Sequence, residues 1–259
     1  LKTYIKEVQT ATATQQKLES EIQIAKDIQM SMIPGYGNAD IKSEAFQLYA
    51  LLRPARTVGG DFYYFEQADE KLHFIVGDVS DKGVPAALFM AKTVTLYTRA
   101  LRDKLPPGKT FTMMNDILAE NNDACMFVTA LCGTIDLKTG SAVMSNAGHM
   151  DPIMHDSGNT RGHEIKGAIA LGLMDAVEYP DVEFQLGHNT SLIMYTDGIS
   201  EAHDADNRQY TDERLIDLIT NIGTSNSEET GRKIIDSVDS FAGDAEQFDD
   251  ITLFIIRYQ

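Results

Sequence analysis

Residues 72–87, Leu-His-Phe-Ile-Val-Gly-Asp-Val-Ser-Asp-Lys-Gly-Val-Pro-Ala-Ala, constrain this chain more than any other stretch. An apolar run ends at Gly77 and delivers the carboxylate of Asp78 at its edge. Gly83 lets the chain turn, and Pro85 suits the first turn of a helix that follows. The expected unit is strand, turn and helix, with an acid at the strand end where a hard metal ion can be held. One such aspartate means little, because Asp and Gly are common in turns. Three more stand at the edges of β-like runs: Asp61 after Gly59-Gly60, Asp197 in Tyr195-Thr-Asp-Gly198, and Asp249 in Phe248-Asp-Asp-Ile-Thr252.

Before the first of these, residues 1–33 contain no Gly or Pro and predict one long helix. Leu1, Tyr4, Val8, Ala11, Gln15, Leu18, Ile22, Ala25, Gln29 and Met32 follow a 3-4 spacing, which is a heptad seam suited to a partner helix. Gln15 and Gln29 are its weak positions, and a single amphipathic helix lying on the following domain is the alternative. Pro34, Gly35 and Gly37 end the helix. Strands are predicted at 46–52, 62–66, 72–76, 127–135, 142–145, 182–186, 192–195 and 251–258, with a turn at 69–71. Helices are predicted at 84–101, 111–121, 213–222 and 228–241, and residues 156–170 read as a polar, mobile loop or flap. Strands grouped at both ends with helix pairs between them predict an α+β fold, antiparallel sheets packed together and covered by helices.

The chain has a formal net charge of −17, which excludes nucleic acid and anionic lipid as natural partners and suits a protein that gathers divalent cations. Cys125 and Cys132 lack metal spacing and read as reduced core thiols of a cytoplasmic protein. No apolar run approaches the roughly 18 residues a membrane span needs, and no signal peptide is present. A start at Leu1 rather than Met predicts a piece of a longer protein.

Four strand-edge aspartates, without a His/Cys cluster or a Gly-rich nucleotide loop, point to oxygen-ligated Mg2+ or Mn2+. Two such ions a few ångströms apart can share a water and lower its pKa, aiming a nucleophile at phosphorus without a protein nucleophile. The bland reading of each aspartate alone is a turn or capping residue.

Several motifs in order carry a resemblance: Ala25-Lys-Asp-Ile-Gln29 with Ile33-Pro34, and Arg53-Pro-Ala-Arg-Thr-Val-Gly-Gly-Asp61. They continue with Gly77-Asp-Val-Ser-Asp-Lys-Gly-Val-Pro-Ala-Ala87, Asn146-Ala-Gly-His149, Tyr195-Thr-Asp-Gly198 and Asp249-Asp-Ile-Thr252. Over roughly residues 20–259 the chain resembles the metal-dependent PPM-type protein serine/threonine phosphatases, in the bacterial branch of sporulation protein E and the sigma-factor-regulator phosphatases. The resemblance implies an α-β-β-α sandwich over residues 34–259, preceded by a regulatory or dimerisation helix over 1–33, with two ions at one edge of the sheets. It implies that Asp78 bridges both ions, that the Val79 carbonyl ligates one, that Asp61 serves the second, and that Asp197 and Asp249 hold the first. Asp250 would brace the site. Arg56 would bind substrate phosphate, with Arg53 as its rival.

The substrate class so implied is a phosphoserine or phosphothreonine on a small STAS-domain (anti-anti-sigma) protein of a partner-switching pathway. A homodimer through the first helix, further sensor domains in the full-length chain and a cytoplasmic location, alone or as part of a membrane-anchored sensor, complete the expectation. The chain departs from its relatives in two places. Ser80 stands where eukaryotic members carry a histidine, and Lys82 stands where many bacterial ones do, which leaves water as the default proton source. His149 reads as structural. Two other readings compete: Gly59-Gly60-Asp61-Phe62 superficially matches the diguanylate cyclase signature but lacks its glutamate, and a catalytically silent phosphoprotein-binding module would need no aspartate set.

Overall fold

The computed structural model describes residues 2–259. Leu1 and the side chain of Val8, both in the predicted seam, lie outside the described residues. The final strand shows why the sheets sit where they do. Ile251–Tyr258 is apolar on both faces: Phe254 and Ile256 enter one core, and Leu253 and Ile255 enter another. Such two-faced burial belongs to a sheet covered on both sides.

In chain order, helix α1 (Lys2–Ser31) and a short turn lead into β1 (Asn38–Lys42) and β2 (Phe46–Arg53). The hairpin β3 (Phe62–Ala68) and β4 (Lys71–Val79) follows, then helices α2 (Val84–Arg102) and α3 (Pro107–Ala119). Next come β5 (Val128–Asp136), β6 (Ser141–Ala147), β7 (Ile153–Asp156), β8 (Asn159–Gly162), β9 (Val182–Gln185) and β10 (Ser191–Tyr195). A one-turn helix α4 (Asp197–Ser200), helices α5 (Asp212–Ile222) and α6 (Ser227–Ala242), and β11 (Ile251–Tyr258) complete it.

One sheet runs β1-β2-β11-β10-β7-β8 and the other β3-β4-β5-β6-β9, and all the named strand pairs are antiparallel. The sheets face each other across a core in which Phe254 packs on Phe74, Tyr63 and Phe65 at 5.6–6.0 Å between ring centroids. Helices α2 and α3 cover the five-stranded sheet, and α5 and α6 cover the other through Leu215, Ile219, Ile234 and Val238. The expected α-β-β-α sandwich is the observed fold. Among the described residues no helix is long and apolar enough to cross a membrane.

The predicted flap at 156–170 is corrected. Ser157 and Gly158, both with positive φ, turn β7 into β8. The return segment is then fastened: His163 N donates to Pro152 O, Ile165 N to Asp151 Oδ1 at 3.0 Å, and Ala168 N to Asn146 O. Buried Ile165 anchors it by packing. Polarity here marks an edge hairpin with its backbone satisfied, not a free loop.

Of the two thiols expected in the core, Cys132 is buried but Cys125 is exposed. The helical expectation holds over Lys2–Ser31, but the role given to Gln29 does not. Gln29 is buried, donating Nε2 to Gly59 O at 2.6 Å and accepting from Gly59 N at 3.3 Å. Met30 and Ile33 beside it enter the main core. The last turn of α1 thus docks on its own domain, while Tyr4, Leu18, Ile24 and Ile28 stay exposed.

Candidate metal centre

Strand register brings the acids together. Phe62 pairs with Gly77, so the residues one step beyond, Asp61 and Asp78, come opposite each other at the end of the five-stranded sheet. In the other sheet Tyr195 pairs with Leu253, which places Thr196 beside Thr252, with Asp197 just beyond β10 and Asp249-Asp250 just before β11. Two hydroxyls join the sheet ends: Thr196 Oγ1 and Thr252 Oγ1 each donate to Asp61 Oδ2 at 2.6 Å. Asp61 is only 2% exposed.

Asp250 holds the loop that leads into Asp61. Its Oδ1 accepts from Ala55 N at 2.7 Å and its Oδ2 from Gly60 N at 2.8 Å, with Asp61 N more distant at 3.5 Å. A Cβ on Gly59 would collide with this carboxylate, and one on Gly198 would collide with the Asp250 carbonyl, so neither position tolerates a side chain. The Val79 carbonyl lies against the same loop, 2.7 Å from where a Cβ on Gly60 would stand.

Asp249 is held differently. Its Oδ1 accepts from Asp250 N at 2.9 Å and its Oδ2 pairs with Lys82 Nζ at 2.8 Å. Lys82 also donates to Phe248 O at 2.9 Å and lies 4.2 Å from the centre of the Phe248 ring. A cavity of about 320 Å³ adjoins Asp249 and Gly198, bordered by Arg53, His203 and Phe248.

Crowding of like charge in a buried place raises the carboxyl pKa values. Burial first, then the charges of Asp78 and Asp250, hold Asp61 well above the usual carboxylate range, against the pull of the two threonine hydroxyls. Burial and then Asp197 push Asp78 up to about 7, with Asp249 and Asp250 adding to the rise. Asp197 is raised by burial, Asp249 and Glu201, and drawn down by the Gly198 N–H and Lys82.

Among the described residues no three acidic, histidine or cysteine side chains close on one point at ligand distance. The donor chemistry nonetheless fits a hard divalent ion: the clustered side-chain donors are carboxylate oxygens, and their buried negative charge faces one ammonium, that of Lys82.

The two arginine candidates separate. Arg53 forks onto Asp239 with Nη1 and Nη2 at 2.9 and 2.6 Å. Arg56 is exposed on the loop before Asp61 and makes no ion pair among the described residues. His149 is buried, its Nδ1 on the Thr129 hydroxyl at 3.0 Å and its Nε2 donating to Tyr195 O at 3.1 Å. Burial lowers its pKa to about 4, so it stays neutral and braces strands on either side of the site. Ser80 is likewise occupied, accepting from Phe127 N at 3.0 Å. Thr196 and Thr252, inside motifs already singled out, are the site residues that the sequence reading assigned no role.

Comparisons with known proteins bear on family and fold. The phosphoserine phosphatase RsbU of Bacillus subtilis (strain 168) is 25% identical over 252 residues, spanning 97% of this chain and 74% of RsbU. Protein IcfG of Synechocystis is 28% identical over 269 residues, covering 91% of this chain and 41% of IcfG. In structure, the PP2C domain of SiaA from Pseudomonas aeruginosa superimposes with a TM-score of 0.81 at 21% identity, covering 95% of this chain and 99% of that domain. The family described as Stage II sporulation protein E (SpoIIE) matches residues 68–259. The chain therefore belongs to the SpoIIE family and carries the PP2C phosphatase fold.

Proposed function

We propose that this chain is a Mn2+- or Mg2+-dependent protein serine/threonine phosphatase that acts on a phosphoserine or phosphothreonine of a STAS-type regulator in a partner-switching pathway. The observation that carries this reading is the convergence of Asp61, Asp78, Asp197 and Asp249 at one end of two sheets, in a chain of the SpoIIE family. Asp61 and Asp78 on one sheet and Asp197 and Asp249 on the other would hold two ions, with the Val79 carbonyl as a further ligand. Bound there, the ions supply Lewis acidity towards phosphate oxygens and water. The chain's own residues do the rest. Asp250 fixes the loop through its backbone N–H groups. Arg56, whose guanidinium stands on that loop without an ion pair among the described residues, would grip the phosphate with its planar fork. Arg53 is already committed to Asp239.

Residues 1–33 act as a separate regulatory segment in this reading. Exposed Tyr4 and Leu18 and half-buried Ile22 offer an apolar edge for a second copy of the helix. The other end of the same helix grips Gly59 through Gln29, two residues from Asp61. Movement of the helix pair would therefore reach a proposed metal ligand through one amide. The direct test is release of phosphate from a serine-phosphorylated STAS-domain protein with Mn2+, compared with the same reaction in excess EDTA. Equal rates in both would overturn the proposal.

A further inference from the structure

Both carboxylate oxygens of Asp249 are already engaged. Asp250 N uses Oδ1 at 2.9 Å, and the ammonium of Lys82 uses Oδ2 at 2.8 Å. The ammonium is placed with some care. Asp81 and Gly83 on either side of it both have positive φ, so the loop turns tightly around Lys82. The Phe248 carbonyl accepts a second of its protons, and the Phe248 ring lies 4.2 Å from it. Among the described residues Lys82 is the one cation in an ion pair with Asp61, Asp78, Asp197, Asp249 or Asp250. Lys82 and Asp249 are both about one-third exposed, at 32% and 29%, so neither is locked away from solvent.

We propose that Lys82 is an exchangeable counter-cation of Asp249, competing with the divalent ion for Oδ2 and so setting the affinity of that metal position. The inference rests on the phosphatase reading, in which Asp249 is a metal ligand. A lysine is well suited to such exchange, because its ammonium is a compact point charge on a flexible stem and can leave one oxygen without disturbing the backbone. An ammonium and a dication on one carboxylate repel each other, and the arrangement is a coupling between two ligands of one group. Such couplings typically reach about 5- to 150-fold in affinity. Lys82 is thus a positioning residue that makes one of the two metal positions the weaker, and loading of that position becomes responsive to Phe248, to which Lys82 is tied.

The test is isothermal titration of the full chain with Mn2+, for the parent, Lys82→Met and Lys82→Arg. The expected result is two binding events in the parent, with the weaker tightened at least about fivefold in Lys82→Met and near the parent value in Lys82→Arg. A lysine that merely props the loop would weaken binding when removed, or leave it unchanged; either result overturns the proposal. If the parent binds no Mn2+, the metal reading itself fails and this inference with it. If Lys82→Met does not fold, titration of the parent with diamagnetic Mg2+ decides. The Lys82 side-chain NMR resonance, identified by its loss in Lys82→Arg, should move as the weaker position fills, and a stationary resonance overturns the proposal.

Discussion

Replacing Asp250 by alanine removes a single carboxylate from beneath the loop that carries Asp61. Ala55 N and Gly60 N then lose a charged acceptor at 2.7 and 2.8 Å, while the 3.5 Å contact with Asp61 N was marginal. Asp250 is 8% exposed, so water replaces the lost partner poorly. A hydrogen bond to a charged group is worth about 1.5–3 kcal/mol, which puts the gross loss at roughly 3–6 kcal/mol. Relief of charge repulsion works the other way, because Asp250 helps to raise both Asp61 and Asp78. If that relief returns roughly 1 kcal/mol, the net destabilisation is about 2–5 kcal/mol. At about 2–4 °C per kcal/mol for a chain of this size, the melting temperature falls by roughly 4–20 °C. Asp250→Asn keeps the shape and one acceptor oxygen but turns an amide N–H towards the second donor, so it recovers only part of the loss. Urea unfolding followed by circular dichroism in EDTA measures the effect without metal linkage. An Asp250→Ala protein within about 0.5 kcal/mol of the parent would refute the bracing role and the loop account built on it.

Three other predictions follow from the same contacts. In EDTA, the stability of the parent relative to Asp78→Asn should fall as pH rises from about 4 to about 7; the comparison cancels buried His149, whose lowered pKa makes stability rise over much of the same window. Asp78 ionises near 4 when unfolded but near 7 when folded, so over that window the folded state holds the extra proton, a loss on the order of 4 kcal/mol for that group alone. A difference between parent and Asp78→Asn that is flat, or rising, across the window contradicts the crowding of these acids. Arg56→Ala should raise KM for the phosphoprotein with little change in melting temperature, whereas Arg53→Ala should cost about 1 kcal/mol or less of stability through its half-exposed pair with Asp239; reversed phenotypes would exchange the two assignments. Leu18→Asp with Ile22→Asp should give a folded monomer by light scattering where the parent is a dimer, and a parent that is monomeric at high concentration removes the dimer from the account.

Much of this architecture was readable from residue chemistry because local preference and tertiary demand coincide. The 62–79 hairpin is aromatic and β-branched, and Asp69-Glu70 at its turn both adopt positive φ. Ile251–Tyr258 is apolar throughout because both its faces are covered. Three strands escaped notice: the short Ile153–Asp156, and two more for the opposite reason. Asn38–Lys42 is a polar edge strand with Ala39 alone fully buried, so its alternation is faint. Asn159–Gly162 carries no apolar residue, and the signal that marks its hairpin is the Ser157-Gly158 step.

At the site, strand-edge settings drew attention to the aspartates, the resemblance implied their separate roles, and strand register explains why residues far apart in the chain meet. Gln29 was misread because a helical period identifies a face but not what covers it: the same 3-4 spacing serves a partner helix or the helix's own domain. Thr196 and Thr252 stand inside the aspartate motifs without an assigned role. Nothing in a single sequence says that two hydroxyls from adjacent strands converge on one buried carboxylate. Lys82 showed itself only as a departure from its relatives, and its pairing with Asp249 depends on a contact across the whole domain.

The central claim is that Asp78 serves both halves of a two-ion phosphatase centre, and turnover of Asp78→Asn tests it most directly. The variant keeps the size of the side chain and removes the charge that stands opposite Asp61 and beside Asp197. With saturating Mn2+ and a serine-phosphorylated STAS-domain protein, kcat should fall at least about a hundredfold in a protein that remains folded. A folded Asp78→Asn protein that turns over at the parent rate would contradict the account.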